Sequence, residues 1–214
     1  MAATWAVRAG LGVVVFTLSL EVLARVCRRS RSGSKGVLKE VIFFPTKVAC
    51  VEHVFMPAYQ CPCLLQHGVE TSFARLLRHI LSANSTLDLC VFAFSHMDLS
   101  RAVLALHARG LVIRVLTDKD YAGITGSQIG LLLKAGICVR SDSGAVHMHH
   151  KFALVDGRRV ITGSLNWTMT AVQNNKENVM VTEEPDLVTP FVREFQRLWE
   201  ANDPERLRRT TAPL

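Results

Sequence analysis

The stretch from His147 to Trp167 constrains this chain more than any other part of its sequence. The apolar run Phe152–Val155 and the pair Val160–Ile161 predict two short buried strands, joined by a turn at Asp156–Gly157. The fold must therefore include this hairpin in a buried sheet, and the residues beyond its strand ends must lie at the edges of that sheet.

Polar side chains suited to phosphate chemistry precede the first of these strands. Alternate residues of a strand point to the same face, so His149 and Lys151 are predicted to point the same way. His147 would lie behind them and His150 on the other face. An imidazole beside a fixed cation is suited to attack on a phosphate ester. The same cation disfavours a metal ion at these histidines, so no catalytic metal is expected.

Residues 1–36 differ from the rest of the chain in hydropathy and charge. Residues 5–24 are apolar and long enough to cross a bilayer as a helix, and a basic cluster follows them. We predict a membrane anchor and basic linker over 1–36, with a cleaved signal peptide as the alternative. This flank has six basic residues and one glutamate, which is +5 of the total net charge of +7. The basicity is therefore weak support for a nucleic-acid partner.

A cluster of metal-ligand residue types follows the first predicted strand. It consists of Cys50, Cys61, Cys63 and His67. Three thiolates and one imidazole make a closed tetrahedral set for a structural Zn²⁺. The segment 50–67 has little periodicity and needs such a tie to hold its shape. Unpaired loop cysteines or a Cys50–Cys61 disulfide are the alternatives.

The order of the predicted elements defines the fold class. Strands and helices alternate after the cysteine segment, which predicts an α/β fold with a mixed sheet flanked by helices. The predicted helices are Glu70–Ser82, Ser127–Ala135, Pro185–Trp199 and one that ends at Gly110 and is marked by Leu99, Ala102, Val103 and Leu106. The remaining predicted strands are Val41–Phe44, Thr86–Phe94, Leu111–Leu116, Ile137–Arg140 and Asn178–Thr182. Residues 37–205 then form one catalytic domain, followed by a disordered tail at 206–214.

The spacing of polar residues in the central stretch is similar to the signature of the phospholipase D superfamily. The matching residues are His149, Lys151, Asp156, Gly163, Ser164 and Asn166. The resemblance covers the chain from about Val37 to Trp199 and implies a phospholipase D-like fold. In this superfamily the histidine attacks phosphorus and forms a covalent phosphohistidine, while a second histidine protonates the leaving group.

The resemblance implies a role for each matching residue. His149 matches the nucleophile, and Lys151 and Asn166 match the phosphate ligands, with the hydroxyl of Ser164 nearby. Glu177 matches the acid that orients the histidine ring and sets its tautomer. Asp156 belongs to the motif, and the pattern is as compatible with a supporting contact as with direct chemistry.

The chain has one copy of a motif that many members of the superfamily carry twice. One histidine cannot act as both nucleophile and leaving-group acid, because the two act on opposite sides of an in-line phosphorus. We therefore expect a homodimer in which two copies of His149 face each other.

The resemblance also implies two substrates and a location. The basic-flanked N-terminal anchor suits the mitochondrial outer membrane, and the basic cluster after it predicts that the catalytic domain lies in the cytosol. The favoured function is endonucleolytic cleavage of single-stranded RNA in the production of piwi-interacting RNA. The alternative is hydrolysis of cardiolipin to phosphatidic acid, and a catalytically silent tether is a third class. Candidate basic residues for an RNA groove are Arg114, Lys119 and Lys176.

Overall fold

The computed structural model describes residues 36–211. These residues form a seven-stranded sheet with helices packed on both faces. The strands are β1 Lys39–Phe43, β2 Thr86–Val91, β3 Val112–Asp118, β4 Cys138–Asp142, β5 Lys151–Val155, β6 Arg159–Gly163 and β7 Asn178–Thr182. The helices are α1 Glu52–Phe55, α2 Ser72–Leu81, α3 Met97–Ala108, α4 Lys119–Ala122, α5 Ile129–Lys134, α6 Met169–Gln173, α7 Pro185–Ala201 and α8 Pro204–Thr211.

The sheet is mixed, as the sequence predicts. Its strand order is β1-β7-β6-β5-β2-β3-β4. The neighbours β2, β3 and β4 run parallel to one another, and every other neighbouring pair is antiparallel. Strand β5 lies in the middle of the sheet, where it joins the parallel part to the antiparallel part.

Strand β5 is apolar from Phe152 to Val155 because both of its faces are covered there. Phe152 and Leu154 pack in a cluster with residues of α7, whereas Ala153 and Val155 belong to the cluster that contains residues of α2 and α3. Alternate side chains of a strand leave on opposite faces, so a strand between two helical layers needs apolar residues at every position. Burial at this level fixes the register of β5 against slippage.

Several element ends differ from the sequence prediction. Strand β2 ends at Val91 rather than at Phe94, because the chain leaves the ladder there. The helix α8 extends to Thr211, where the sequence predicts a disordered tail from 206. Asp203 supports the start of this helix, since its Oδ1 accepts the N–H of Glu205 at 2.8 Å.

The predicted membrane anchor lies outside the described residues. Within 36–211, none of the helices combines the length and the apolar character that crossing a bilayer requires.

The turn between β5 and β6 contains Asp156, one of the predicted motif residues. Asp156 and Gly157 have φ angles of +53° and +63°, which is the geometry of a type I′ hairpin turn. The carboxylate of Asp156 accepts the backbone N–H groups of Asn84, Ser85 and Thr86, and the hydroxyl of Ser85, at 2.8–3.1 Å. It therefore ties the hairpin to the start of β2.

Burial raises the pKa of Asp156, but its hydrogen bonds from residues 84–86 outweigh burial and lower the pKa to about 2. The ordinary value is 3.8. A pKa lowered on folding means that the charged carboxylate stabilises the fold at pH values above its ordinary pKa. This contribution is lost as the pH falls towards about 2.

We predict that Asp156→Asn lowers the free energy of unfolding at neutral pH by about 1–3 kcal/mol, because the amide cannot accept all four hydrogen bonds. Urea unfolding should show that the difference from the wild type shrinks as the pH falls below 4. Asp186→Asn, at an exposed position, serves as the control and should change stability by no more than about 0.5 kcal/mol. An equal loss in both variants would contradict the assignment.

Candidate active site

The candidate site lies along one edge of the sheet. Strands β2, β3 and β4 end at this edge, and the antiparallel strand β5 begins there. Because β6 is antiparallel to β5 and β7 is antiparallel to β6, β6 ends at this edge and β7 begins there. The edge therefore gathers the predicted residues that precede β5, follow β6 and precede β7. These residues are His149, Lys151, Ser164, Asn166 and Glu177.

Asp156 is at the opposite edge. It follows the last residue of β5, so about 16 Å of strand separates it from Lys151. Its contacts are with the residues that begin β2. The structure therefore favours the supporting role for Asp156 and separates it from the rest of the motif.

His149 and Lys151 contact each other directly. Lys151 is the first residue of β5, whereas His149 belongs to the preceding loop rather than to the strand that the sequence predicts. The Nζ of Lys151 lies 2.8 Å from Nδ1 and 3.1 Å from Nε2 of His149, and it donates to the carbonyl oxygen of His149 at 2.7 Å. The ammonium group is therefore held against the imidazole ring.

This contact favours an uncharged imidazole. Partial burial and the positive charge of Lys151 both lower the pKa of His149 below its usual value. Burial also lowers the pKa of Lys151, and the carboxylate of Glu177 opposes that shift. A neutral imidazole has a free electron pair at neutral pH, which a nucleophile requires.

Aromatic rings lie on one side of the pair formed by His149 and Lys151. The ring of Phe92, which follows β2, lies 4.3 Å from the ring of His149 at an interplanar angle of 64°. The Nζ of Lys151 lies 5.3 Å from the centroid of the same ring. Tyr121 packs against Phe92 at 3.8 Å, and His147 contacts both of these rings edge-on. Planar rings thus line one side of the site.

The signature glycine at the end of β6 is required by close packing. A Cβ added to Gly163 would lie 2.0 Å from the carbonyl oxygen of Asn178 on β7. Only glycine fits such an approach. The close approach lets the N–H of Ser164 donate to that carbonyl at 3.1 Å, and the N–H of Asn178 donates to the hydroxyl of Ser164 at 3.1 Å.

Asn166 has hydrogen-bonding capacity to spare. Its Oδ1 is one of two buried side-chain polar atoms among residues 36–211 that have no hydrogen-bond partner. A buried amide normally has its hydrogen bonds satisfied. This orphaned atom is an acceptor, so it is available to a hydrogen-bond donor.

Glu177 differs from its expected role. It is not a hydrogen-bond partner of His149 among the described residues; its carboxylate accepts from the hydroxyl of Ser164 and from Nδ2 of Asn175, the latter at 3.0 Å. Its charge acts on Lys151 instead. In this structure the ring of His149 is oriented by Lys151 and Phe92.

Two residues of the edge were missed at the sequence level, Phe92 and Asp118. Both stand at the ends of neighbouring parallel strands, and Asp118 is 3% exposed. The signal that could have found them is the acidic turn after the predicted third strand, since parallel strand ends meet at one edge.

Of the predicted basic residues, Arg114 pairs with Asp88 at 2.7 Å instead of lining a groove.

Two groups in the described part of the chain have metal-ligand spacing. The first is the predicted set Cys50, Cys61, Cys63 and His67, whose ligand atoms lie within 4.8 Å of one another. The second is Asp118, Asp120 and His147. His149 belongs to neither group. Cys50 and Cys61 are free thiols, so the alternative of a disulfide between them is not formed.

The donor set of the first group fits a zinc ion. Tetrahedral Zn²⁺ takes thiolate sulfur at about 2.3 Å and imidazole nitrogen at about 2.0–2.1 Å, distances that a set of this size can supply. Cys50 is also held near the second half of the segment, since its N–H donates to the carbonyl oxygen of Gln66 at 2.9 Å. Its four ligand residues leave no position for a reacting water, so the fit is to a structural ion.

Comparison with known proteins identifies related families. A family model described as "Cardiolipin synthase, PLD-like domain" matches residues 76–199. A zebrafish protein named mitochondrial cardiolipin hydrolase is 60% identical over 202 residues, covering 93% of this chain and 88% of the relative. The human protein of the same name is 49% identical over 211 residues, covering 95% and 83%. The fruit-fly protein of that name is 28% identical and covers 86% and 85%.

Solved structures show the same fold at lower identity. The phospholipase D family member Nuc from Salmonella typhimurium superposes with a TM-score of 0.62 at 24% identity, covering 77% of this chain and 95% of Nuc. NucT from Helicobacter pylori gives a TM-score of 0.59 at 20% identity, covering 77% and 97%.

We predict that His149 titrates below pH 6.5 and that Lys151→Gln raises its pKa, because the variant removes a positive charge from the ring. The measurement is an NMR titration of the imidazole signals, with His149→Asn used to assign them. The matched control is Lys119→Gln, which removes an exposed lysine at the same edge and should leave the midpoint unchanged. A wild-type midpoint at or above 6.5 would show that the cation does not act on the ring as described.

Proposed function

The chain belongs to the phospholipase D superfamily, as do its relatives named mitochondrial cardiolipin hydrolase, and we propose how its site works. The proposal is that this phosphodiesterase forms a covalent phosphohistidine on His149. One observation supports this most directly, namely the contact between the imidazole of His149 and the ammonium group of Lys151. The contact favours a neutral nucleophile and supplies a cation for the phosphate at the same place.

In the first step a ring nitrogen of His149 attacks phosphorus, and the bond from phosphorus to the leaving oxygen breaks. Lys151 and the Nδ2 group of Asn166 donate to the phosphate oxygens, whose charge grows in the transition state. Water then attacks the phosphohistidine, the bond from phosphorus to nitrogen breaks, and the imidazole is regenerated. Ser164 and Glu177 act on the site through Lys151 and the backbone of β7.

The leaving oxygen needs a proton from the far side of the phosphorus. We place a second copy of His149 there, contributed by a homodimer. Two imidazoles that face each other favour sharing a single proton, because two like charges repel at short distance. One ring is then the nucleophile and the other is the acid, and the second ring accepts a proton from water in the hydrolytic step.

For the substrate we propose cardiolipin, which would be hydrolysed to phosphatidic acid at the mitochondrial outer membrane. The names of the relatives at 60% and 49% identity support this substrate and this compartment. The apolar segment at residues 5–24 would anchor the chain beside its lipid, with the domain that follows it in the cytosol.

A second candidate substrate is single-stranded RNA, cleaved internally during the production of piwi-interacting RNA. The aromatic group supports this candidate, because Tyr121 and the exposed ring of His147 both contact Phe92, which lies against His149. Aromatic side chains next to a phosphate site are suited to stacking the bases of a single strand. The catalytically silent tether has no support from these features.

We also propose that Cys50, Cys61, Cys63 and His67 hold a structural Zn²⁺. When bound, the ion would clamp a segment that has only the four-residue helix α1 as regular structure. Its contribution would be to folding rather than to the reaction.

The function is tested with the full chain in detergent, supplied separately with cardiolipin vesicles and with end-labelled single-stranded RNA. We predict that His149→Asn lowers every activity that the wild type shows by about a thousandfold or more, because it removes the nucleophile. His107→Asn, in a surface histidine on α3, should leave activity unchanged.

The same experiment separates the candidates. Release of phosphatidic acid alone supports cardiolipin, and RNA cleavage alone supports the nuclease. Activity that survives in His149→Asn would contradict the phosphohistidine, and an active species with the molar mass of one protomer would contradict the dimer.

For the zinc site we predict about one zinc per protomer by elemental analysis. Cys61→Ser should reduce the zinc content and lower the Tm, because it removes one of four ligands. The matched control is Cys138→Ser, an exposed cysteine outside the group, which should change neither. Protein that retains its fold but contains no zinc would disprove the site.

A further inference from the structure

The loop that carries His149 has no regular secondary structure. Residues 143–150 connect β4 to β5 without forming a helix or a strand. A nucleophile that attacks phosphorus in line needs a fixed direction, since a small misplacement of a reacting group slows a reaction strongly. The direction of His149 therefore depends on individual contacts on either side of it.

On the C-terminal side the loop is held by the chain that follows β2. The N–H of Phe92 donates to the carbonyl oxygen of His150 at 2.9 Å, which extends the pairing of β2 with β5 by one residue. The ring of Phe92 packs against the ring of His149 at the same place. This contact fixes the backbone immediately after the nucleophile.

On the N-terminal side the loop is held by Asp118, the last residue of β3. Its Oδ2 accepts the N–H of Met148 at 3.1 Å and lies 3.1 Å from Nδ1 of His147. Its Oδ1 accepts the N–H of Asp120 at 2.9 Å. One buried carboxylate thus binds two consecutive loop residues directly before His149.

The carboxylate is charged in this environment. Burial raises the pKa of Asp118, but the hydrogen bonds from His147 and from the N–H groups of Asp120 and Met148 outweigh burial and lower it. A charged acceptor makes stronger hydrogen bonds than a neutral one. An amide in its place would have one acceptor oxygen instead of two.

His147 links Asp118 to the ring of the nucleophile. Held by Asp118, its imidazole lies edge-on to Phe92, with centroids 5.7 Å apart and an interplanar angle of 74°. Phe92 also contacts the ring of His149, with centroids 4.3 Å apart. The side chain of Met148 adds packing, since it is buried with its Sδ 3.3 Å from Sγ of Cys90.

We propose that Asp118 is a positioning residue for the reaction, holding the backbone of Met148 and the ring of His147 so that His149 is aimed at phosphorus. This role rests on the proposed function, because it requires His149 to be the nucleophile. Asp118 does not touch the reacting atoms itself. Its loss should therefore act on kcat and leave substrate binding by Lys151 and Asn166 unchanged.

The test measures kcat and KM for Asp118→Asn in the full chain, with whichever of cardiolipin vesicles or single-stranded RNA the wild type cleaves. We expect kcat to fall about tenfold or more while KM stays within about twofold. His147→Ala removes the ring that links Asp118 to Phe92 but keeps the hydrogen bond from Met148 to Asp118, so it should give a smaller loss of kcat. This second variant keeps the proposal testable should Asp118→Asn fail to fold.

The matched control is Asp88→Asn. Asp88 is also a buried acid of this sheet, and it binds the guanidinium group of Arg114 at 2.7 and 2.8 Å, away from the loop. Asp88→Asn should lower the Tm without changing the kcat of the folded protein. An equal loss of kcat in both variants, or kcat within twofold of wild type in Asp118→Asn, would overturn the proposal. A wild type that cleaves neither substrate would instead contradict the proposed function.

Discussion

Burial of β5 on both faces is the constraint on which the site depends. Phe152 and Leu154 pack under α7, and Ala153 and Val155 pack towards α2 and α3, so the strand cannot slide without moving apolar side chains out of both clusters. Each end of this fixed strand carries one part of the signature. Lys151 begins it at the edge that holds the site, and Asp156 follows it at the opposite edge, where it binds the start of β2.

At the edge that holds the site, the proposed chemistry depends on the short contact between a cation and an imidazole. Lys151 is held against the imidazole of His149, and burial together with this positive charge lowers the pKa of the ring, which favours the neutral form that the proposed attack requires. The arrangement is half of what an in-line displacement needs, because a single imidazole supplies either the nucleophile or the acid. The proposed homodimer completes the site with a second copy of the same ring. In the proposal, the hydrogen bonds of Asp118 to the preceding loop residues give each ring its direction.

Much of the fold could be predicted because its signals are local. The helical spacing of Phe73, Leu76 and Ile80 predicts the buried face of α2, and all three residues are buried. The Asp156–Gly157 pair predicts the hairpin turn, which has the expected left-handed backbone. The ends of elements were less predictable, since Phe92 and Phe94 are as apolar as β2 itself although the strand ends at Val91. The anchor at residues 5–24 remains a prediction from hydropathy.

The sequence by itself determined the family signature and the α/β class with a mixed sheet, and it predicted the site residues His149, Lys151 and Asn166, because these depend on residue type and fixed spacing. Only the tertiary structure decided which signature residues meet. It separated Asp156 from the site, directed Glu177 to Ser164 rather than to His149, and brought Asp118 against the loop before the nucleophile. The physical reason is that these contacts join strand ends that are far apart in the chain, and strand order and direction, which the spacing does not encode, bring such ends to one edge.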